Sequence, residues 1–113
     1  MADRRQVRRW YLVLYLRVFD ADTGEQLGHL VEISQKGLMV VSDLPFPLER
    51  EFHLSLDVPH PDGTRERLHL NARSLWTSAD ANPDFHDTGF ELVQVNQYRV
   101  DRIRTLVEEL SFK

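Results

Sequence analysis

Hydrophobic and polar residues alternate along most of the chain, and this alternation predicts short β-strands. The clearest alternation is in Phe52–Val58, where every second residue is apolar. A turn sequence, Pro59–Gly63, and a matching alternation in Leu68–Ala72 complete a β-hairpin, whose second strand is expected to continue through Trp76. The other alternating or apolar runs predict four further strands: Tyr11–Asp20, Leu27–Ser34, Leu38–Ser42 and Thr88–Val95. Trp76 and Phe90 are predicted to be core residues.

The last part of the chain changes to a helical period. Val100, Ile103, Val107 and Leu110 form one apolar stripe, and Asn96 is placed to cap the N-terminus of this helix. Many short strands in so small a chain favour closure, because a closed sheet has no exposed edges. We therefore predict a mainly β fold, a six-stranded antiparallel (split) β-barrel with a C-terminal α-helix.

The composition is that of one ordinary globular domain. The chain has 113 residues, of which 42% are hydrophobic and 28% charged, and this length leaves room for a single core. We expect residues 11–113 to form this domain, preceded by a flexible arginine-rich arm at residues 1–10. The lack of cysteine excludes a disulfide framework, cysteine-ligated zinc and a thiol nucleophile, and it favours a cytoplasmic location.

Charge is distributed unevenly along the sequence. The formal net charge of -4 argues against a general DNA- or RNA-binding protein and against a polybasic membrane binder. The apolar run Trp10–Leu16 is much shorter than the roughly 20 residues of a membrane-spanning helix, so we expect no membrane insertion. The first 17 residues nevertheless contain five arginines and one acidic residue: Arg4, Arg5, Arg8, Arg9 and Arg17, with Asp3. Any anion site is expected near this end.

Enzyme signatures are missing from the sequence. It contains no glycine-rich phosphate loop, no His-Glu-x-x-His and no Gly-x-Ser-x-Gly, so we expect no catalytic residues and no cofactor. One metal hypothesis remains open beside the commoner interpretation of exposed surface histidines. If the predicted hairpin pairs symmetrically about Pro61, His53 lies opposite His69, and the two imidazoles can hold a metal with a third ligand.

Two short motifs stand in a fixed order near the N-terminus. Arg5 and Arg9 form an Arg-x-x-x-Arg element just before the first strand, and Arg4 with Arg8 is a second possible register. A Glu-x-Ser-x-x-Gly element follows between two predicted strands, with the residues Glu32, Ser34 and Gly37. Together they resemble the signature of the PilZ domain family, the bacterial receptors of cyclic di-GMP (c-di-GMP).

The resemblance extends over nearly the whole chain. The family signature has Asp or Asn where this sequence has Glu32, and the stretches Asn71–Trp76 and Thr88–Leu92 look like late strands of the family. The resemblance implies a six-stranded barrel with a C-terminal helix. It also implies a c-di-GMP site at Arg4, Arg5, Arg8, Arg9, Glu32, Ser34 and Gly37. The implied function is a stand-alone receptor that passes the signal to an unidentified downstream protein.

The chemistry of these residues suits that ligand. Arginine binds phosphate oxygens, pairs with the guanine edge and stacks on bases. Glu32 and Ser34 are two residues apart and so project from one face of a strand, while Gly37 permits a tight turn with exposed N–H groups. We expect the arm to become ordered across the barrel when the ligand binds. Two alternatives remain: a PilZ-like interaction adaptor that needs no ligand, and a nucleic-acid-binding barrel, which the net charge opposes.

Overall fold

The computed structural model describes residues 10–11, 16–34, 36–60, 62–94 and 96–110. These residues form seven strands and one helix, numbered here in chain order. The strands are β1 (Trp10–Tyr11), β2 (Arg17–Asp20), β3 (Gln26–Ile33), β4 (Gly37–Ser42), β5 (Glu51–Pro59), β6 (Arg65–Ala79) and β7 (His86–Leu92), and the helix is α1 (Gln97–Leu110).

Six of these strands close into a barrel. Neighbouring strands pair in the order β3-β2-β5-β6-β7-β4, every pairing is antiparallel, and β4 pairs back onto β3. The short β1 lies outside this ring and pairs with the end of β3, so that Trp10 is opposite Ile33 and Tyr11 is opposite Glu32. The six-stranded antiparallel barrel with a C-terminal helix, predicted from the sequence, is confirmed.

The core fills the inside of the barrel with aliphatic side chains from β2 to β6 and three phenylalanines. Phe46 comes from the loop after β4, and its ring makes edge-to-face contacts with Phe52 at 5.4 Å and with Phe90 at 5.1 Å between centroids. Ile103 of α1 is fully buried in the same cluster. The helix therefore packs onto the barrel through this residue, and Phe90 is a core residue as predicted.

A polar contact adds to the packing of the helix. The Arg102 guanidinium donates to the Glu66 carboxylate, which also lies 2.9 Å from Nε2 of His60 in the β5–β6 turn. Asn96 Oδ1 accepts from the Arg99 amide at 2.9 Å, which confirms the predicted cap. Within the described ranges, no helix is long and apolar enough to cross a membrane.

Several strand bounds differ from the predicted ones. The predicted strand Tyr11–Asp20 is described only as β1 and β2, since residues 12–15 lie outside the described part of the chain. β6 continues to Ala79, because it pairs with β7 as far as His86. β7 consequently begins before Thr88, and it ends at Leu92 rather than at Val95.

The predicted pairing of two histidines in the β5–β6 hairpin is wrong. His53 lies opposite Asn71, and His69 lies opposite Ser55. The turn explains the shift: the His60 amide donates to the Thr64 carbonyl at 2.9 Å, so the hairpin is symmetric about Asp62 and not about Pro61. In the described residues, no cluster of three or more histidines, aspartates or glutamates is arranged to hold a metal ion.

Candidate functional site

Ser34 and Gly37 build the turn between β3 and β4. The Ser34 amide donates to the Gly37 carbonyl at 2.8 Å, and the Ser34 hydroxyl accepts from the amides of Lys36 and Gly37 at 3.3 Å each. The expectation of exposed N–H groups at Gly37 is therefore wrong, because the serine hydroxyl already binds that amide. A Cβ atom on Gly37 would lie 2.3 Å from the Phe90 carbonyl oxygen, so this close approach of two strands requires glycine.

Glu32 lies on the outside of the barrel beside this turn. A β-bulge shifts the register of β3 between Leu30 and Glu32, and Glu32 pairs with Met39 of β4. The bulge lets Leu30 and Ile33 both enter the core, which strict alternation does not allow. Glu32 is only 7% exposed. Because Ile33 points into the core, Glu32 and Ser34 project outward on either side of it.

Two aspartates share the surroundings of Glu32. Asp87 of β7 has a pKa above its ordinary value, because burial disfavours its charge and because the carboxyl groups of Asp80 and Glu32 lie close to it. Asp80 hydrogen-bonds to Asp87, whereas the buried Oδ1 of Asp87 has no hydrogen-bond partner in the described structure. This surface of β3 and β7 is therefore electronegative, and it favours a cationic group or a hydrogen-bond donor.

Trp76 is the residue of this surface that the sequence analysis missed. Trp76 lies opposite Gly89, Gly89 opposite Met39, and Met39 opposite Glu32, in one row across four strands. The indole is 42% exposed, so its prediction as a core residue is wrong. A bulge between Ser74 and Trp76 turns the side chain outward. A glycine inside the predicted strand Thr88–Val95 was the available signal, because such glycines often mark a close approach.

The four arginines of the N-terminal motif, Arg4, Arg5, Arg8 and Arg9, lie outside the described residues. The structure describes the two residues that follow them, Trp10 and Tyr11. Trp10, which follows Arg9 directly, pairs with Ile33, and Tyr11 pairs with Glu32. β1, which follows Arg9 directly in the sequence, thus lies at the end of β3 that carries Glu32 and Ser34.

Other arginines hold the barrel together on its far side. Asp57 of β5 accepts hydrogen bonds from Arg17 of β2 and Arg65 of β6, and its side chain is 6% exposed. These guanidiniums lower the pKa of Asp57 to about 2, and Arg65 has the largest effect; burial of the carboxyl group acts in the opposite direction. Arg67 of β6 stacks on the Phe19 ring, with its guanidinium carbon 4.4 Å from the centroid. These arginines tie three strands together.

Comparison with known proteins gives a consistent result. The family model described as the PilZ domain matches residues 3–109. No curated protein matches the chain. Among solved structures, the chain is similar to the inhibitor of motility MotI/DgrA of Bacillus subtilis, with a TM-score of 0.73 and 18% identity over 96% of this chain and 51% of that one. The chain thus spans about half of the MotI/DgrA structure.

A second similar structure is the PilZ domain of YcgR from Escherichia coli with c-di-GMP. Its TM-score is 0.71 and its identity 15%, over 96% of this chain and 92% of that one. At these identities the two structures support the fold, and the match of the family model over residues 3–109 supports the membership. The chain belongs to the PilZ domain family.

Proposed function

We propose that this domain is a cytoplasmic receptor that binds c-di-GMP on the outside of the barrel and passes the signal to a downstream protein. The ligand would lie against the β3–β4 turn, between Glu32, Ser34 and Gly37 on one side and the arginine motif on the other. The observation that supports the proposal is the pairing of β1 with β3, because Trp10, the residue after Arg9 in the sequence, lies opposite Ile33, between Glu32 and Ser34.

Family membership supports the class of function. PilZ domains are non-catalytic receptor domains and generally bind c-di-GMP. The similar YcgR domain of Escherichia coli was solved with that ligand. This chain has the Arg-x-x-x-Arg spacing at Arg5 and Arg9, with Arg4 and Arg8 as the second register.

The electrostatics of the surface fit both parts of the ligand. Guanine presents N–H donors, which suit the Glu32 carboxylate, whereas the two phosphates need cations, which the carboxyl groups of Asp80 and Asp87 cannot provide. The arginines of the arm supply them. The exposed indole of Trp76 adds a flat surface for a base. Receptor wall and arm are therefore complementary, and neither binds the whole ligand alone.

The expected affinity follows from the number of contacts. Charge-assisted hydrogen bonds contribute roughly 1.5–3 kcal/mol each, so four of them give roughly 6–12 kcal/mol before the arm is ordered. Micromolar binding requires about 8 kcal/mol. Glu32 has one methylene more than the Asp of the family signature, and its carboxylate is thereby displaced from the position of the shorter side chain. We expect micromolar rather than nanomolar affinity.

Isothermal titration calorimetry with c-di-GMP tests the proposal. The wild type should bind with micromolar affinity, and Arg9→Ala should weaken binding at least tenfold. Arg67→Ala is the matched control, because Arg67 lies on β6, three strands from β3 around the barrel. It should bind like the wild type. Absence of heat in the wild type at high micromolar ligand would contradict the proposal.

A ligand-independent adaptor is the second candidate, favoured by the contacts of the turn. The Ser34 hydroxyl and the Gly37 amide bind each other, so both residues have a structural reason to be present without a ligand. The variant Glu32→Asp separates the two candidates. It should bind c-di-GMP more tightly if the site is a working receptor site, and it should show no heat if the domain is only an adaptor.

A further inference from the structure

An open groove lies at the other end of the β3–β4 hairpin. Its volume is about 1050 Å³, and its walls are the start of β3, the end of β4, the loop 43–47 and the loop 80–85. Apolar side chains line much of it: Leu27, Val41, Leu44, Phe52 and Phe85. None of the ligand-site residues Glu32, Ser34 and Gly37 belongs to this lining. The groove thus does not include the β3–β4 turn, although Val31 and Asp80 of its lining extend towards the surroundings of Glu32.

The loop after β4 presents an exposed leucine in a fixed conformation. Leu44 is 78% exposed. Its carbonyl accepts from the Ser42 hydroxyl at 2.7 Å, and the Pro47 carbonyl accepts from the buried Ser74 hydroxyl at 2.6 Å. Phe46 between them is anchored in the core. A rigid loop with an exposed apolar side chain loses little conformational entropy when a partner covers it, as in protein-binding surfaces.

The charges around the groove select its partner. Glu25, Asp43 and Asp80 line it, whereas no lysine or arginine does so among the described residues. Acidic peptides and nucleic acids would be repelled by this rim.

We propose that this groove binds an extended, basic segment of a partner protein. Apolar side chains of the segment would pack on Leu44 and Phe85, and its arginines or lysines would pair with Glu25, Asp43 and Asp80. The inference deepens the proposed function, because it names the chemistry of the downstream partner, and it does not require c-di-GMP to bind. Gly28 in the groove and Ser34 in the turn are six residue steps apart, about 20 Å in an extended strand, so ligand and partner segment have room to bind together.

The test is an NMR titration of the full chain with a nine-residue peptide in which arginine alternates with leucine and phenylalanine. Its twin has glutamate in place of arginine. The titration is done without nucleotide, and the same sample is then titrated with c-di-GMP, so that failure of the groove and failure of the receptor site are distinguishable. The arginine peptide should shift the amides of Leu27, Asp43, Leu44 and Phe85 saturably, and the glutamate twin should bind at least tenfold more weakly.

Two leucines of one loop supply the variant and its control. Leu44→Ser should weaken binding of the arginine peptide at least fivefold. Leu48→Ser should leave it unchanged, because Leu48 is 44% exposed on the same loop but does not line the groove. Both side chains are exposed, so neither variant should unfold the barrel. No saturable shift at millimolar peptide, equal binding of the glutamate twin, or equal loss in both variants would overturn the proposal.

Discussion

The indole of Trp76 lies so close to the Gly89 backbone that a Cβ atom on Gly89 would be 2.3 Å from its Cε2 atom. This contact fixes an exposed aromatic ring on the outside of the barrel, in the same row as Glu32. A ring held in this way offers a flat surface without the entropy loss of ordering a mobile side chain. The glycine of β7 thus determines the position of the Trp76 ring.

Replacing that glycine should release the indole. Gly89→Ala is expected to push Trp76 away from β7, because a methyl group cannot occupy a position 2.3 Å from the ring. In a Trp10→Phe background, where Trp76 is the remaining tryptophan, the fluorescence maximum should move to longer wavelength. An unchanged emission spectrum would show that the ring is not held by this contact.

Asp57 makes the free energy of unfolding depend on pH in the acidic range. Its pKa is lowered to about 2 by Arg65 and Arg17, whereas an unfolded aspartate titrates near 3.9. A lowered pKa stabilises the fold above the unfolded value, and this contribution is lost as the pH falls from about 4 to about 2. With half-exposed arginines that water screens, we expect about 1–2 kcal/mol.

Chemical unfolding at several pH values measures this contribution. Asp57→Asn should be less stable than the wild type at pH 7, and the difference should shrink towards pH 2. Asp43→Asn, an exposed position, is the control and should follow the wild type. A constant difference between Asp57→Asn and the wild type at all pH values would contradict the assignment.

Asp87 should affect the pH dependence of stability in the opposite direction to Asp57. Burial, Asp80 and Glu32 raise its pKa, so its ionisation disfavours the folded state, and stability is gained as the pH falls towards that pKa. Asp87→Asn should therefore raise the Tm at pH 7 by about 2–4 °C, and the gain should vanish in mild acid. Thermal unfolding of the variant beside Asp84→Asn, an exposed change in the preceding loop, checks this. A lower Tm for Asp87→Asn at pH 7 would exclude the proposed repulsion.

The turn serine should matter for stability without any ligand. Ser34→Ala removes the acceptor of two amides, at Lys36 and Gly37, and we expect a loss of about 1 kcal/mol, or a Tm lower by about 4–8 °C. Ser78→Ala, at an exposed position of β6, is a matched control. Equal Tm values for Ser34→Ala and the wild type would show that the hydroxyl does not stabilise the turn.

Local alternation was sufficient to predict the barrel, because strands that are apolar on one face need closure around a core. It failed at two of the bulges, one in β3 and one in β6. The bulge between Leu30 and Glu32 cannot be predicted from the local sequence, because a bulge depends on how the partner strand pairs. The same holds for the bulge between Ser74 and Trp76, which turns Trp76 outward.

Contacts between distant strands were equally beyond the sequence. Asp57 is a polar position in the alternation of Phe52–Val58, yet it is buried, since Arg17 and Arg65 reach it from β2 and β6. The motif residues Ser34 and Gly37 were found by their spacing and by the family resemblance. Their mutual hydrogen bond, which gives them a structural role as well, required the turn geometry.

The central claim is that c-di-GMP binds at the β3–β4 turn, and an NMR titration of the isotopically labelled chain with c-di-GMP tests it most directly. The account predicts saturable, micromolar shifts of the amides of Glu32, Ser34 and Gly37 and of the Trp76 indole N–H, with little change at Leu44 in the groove. Amide positions that stay unchanged around the turn at high micromolar ligand would contradict it.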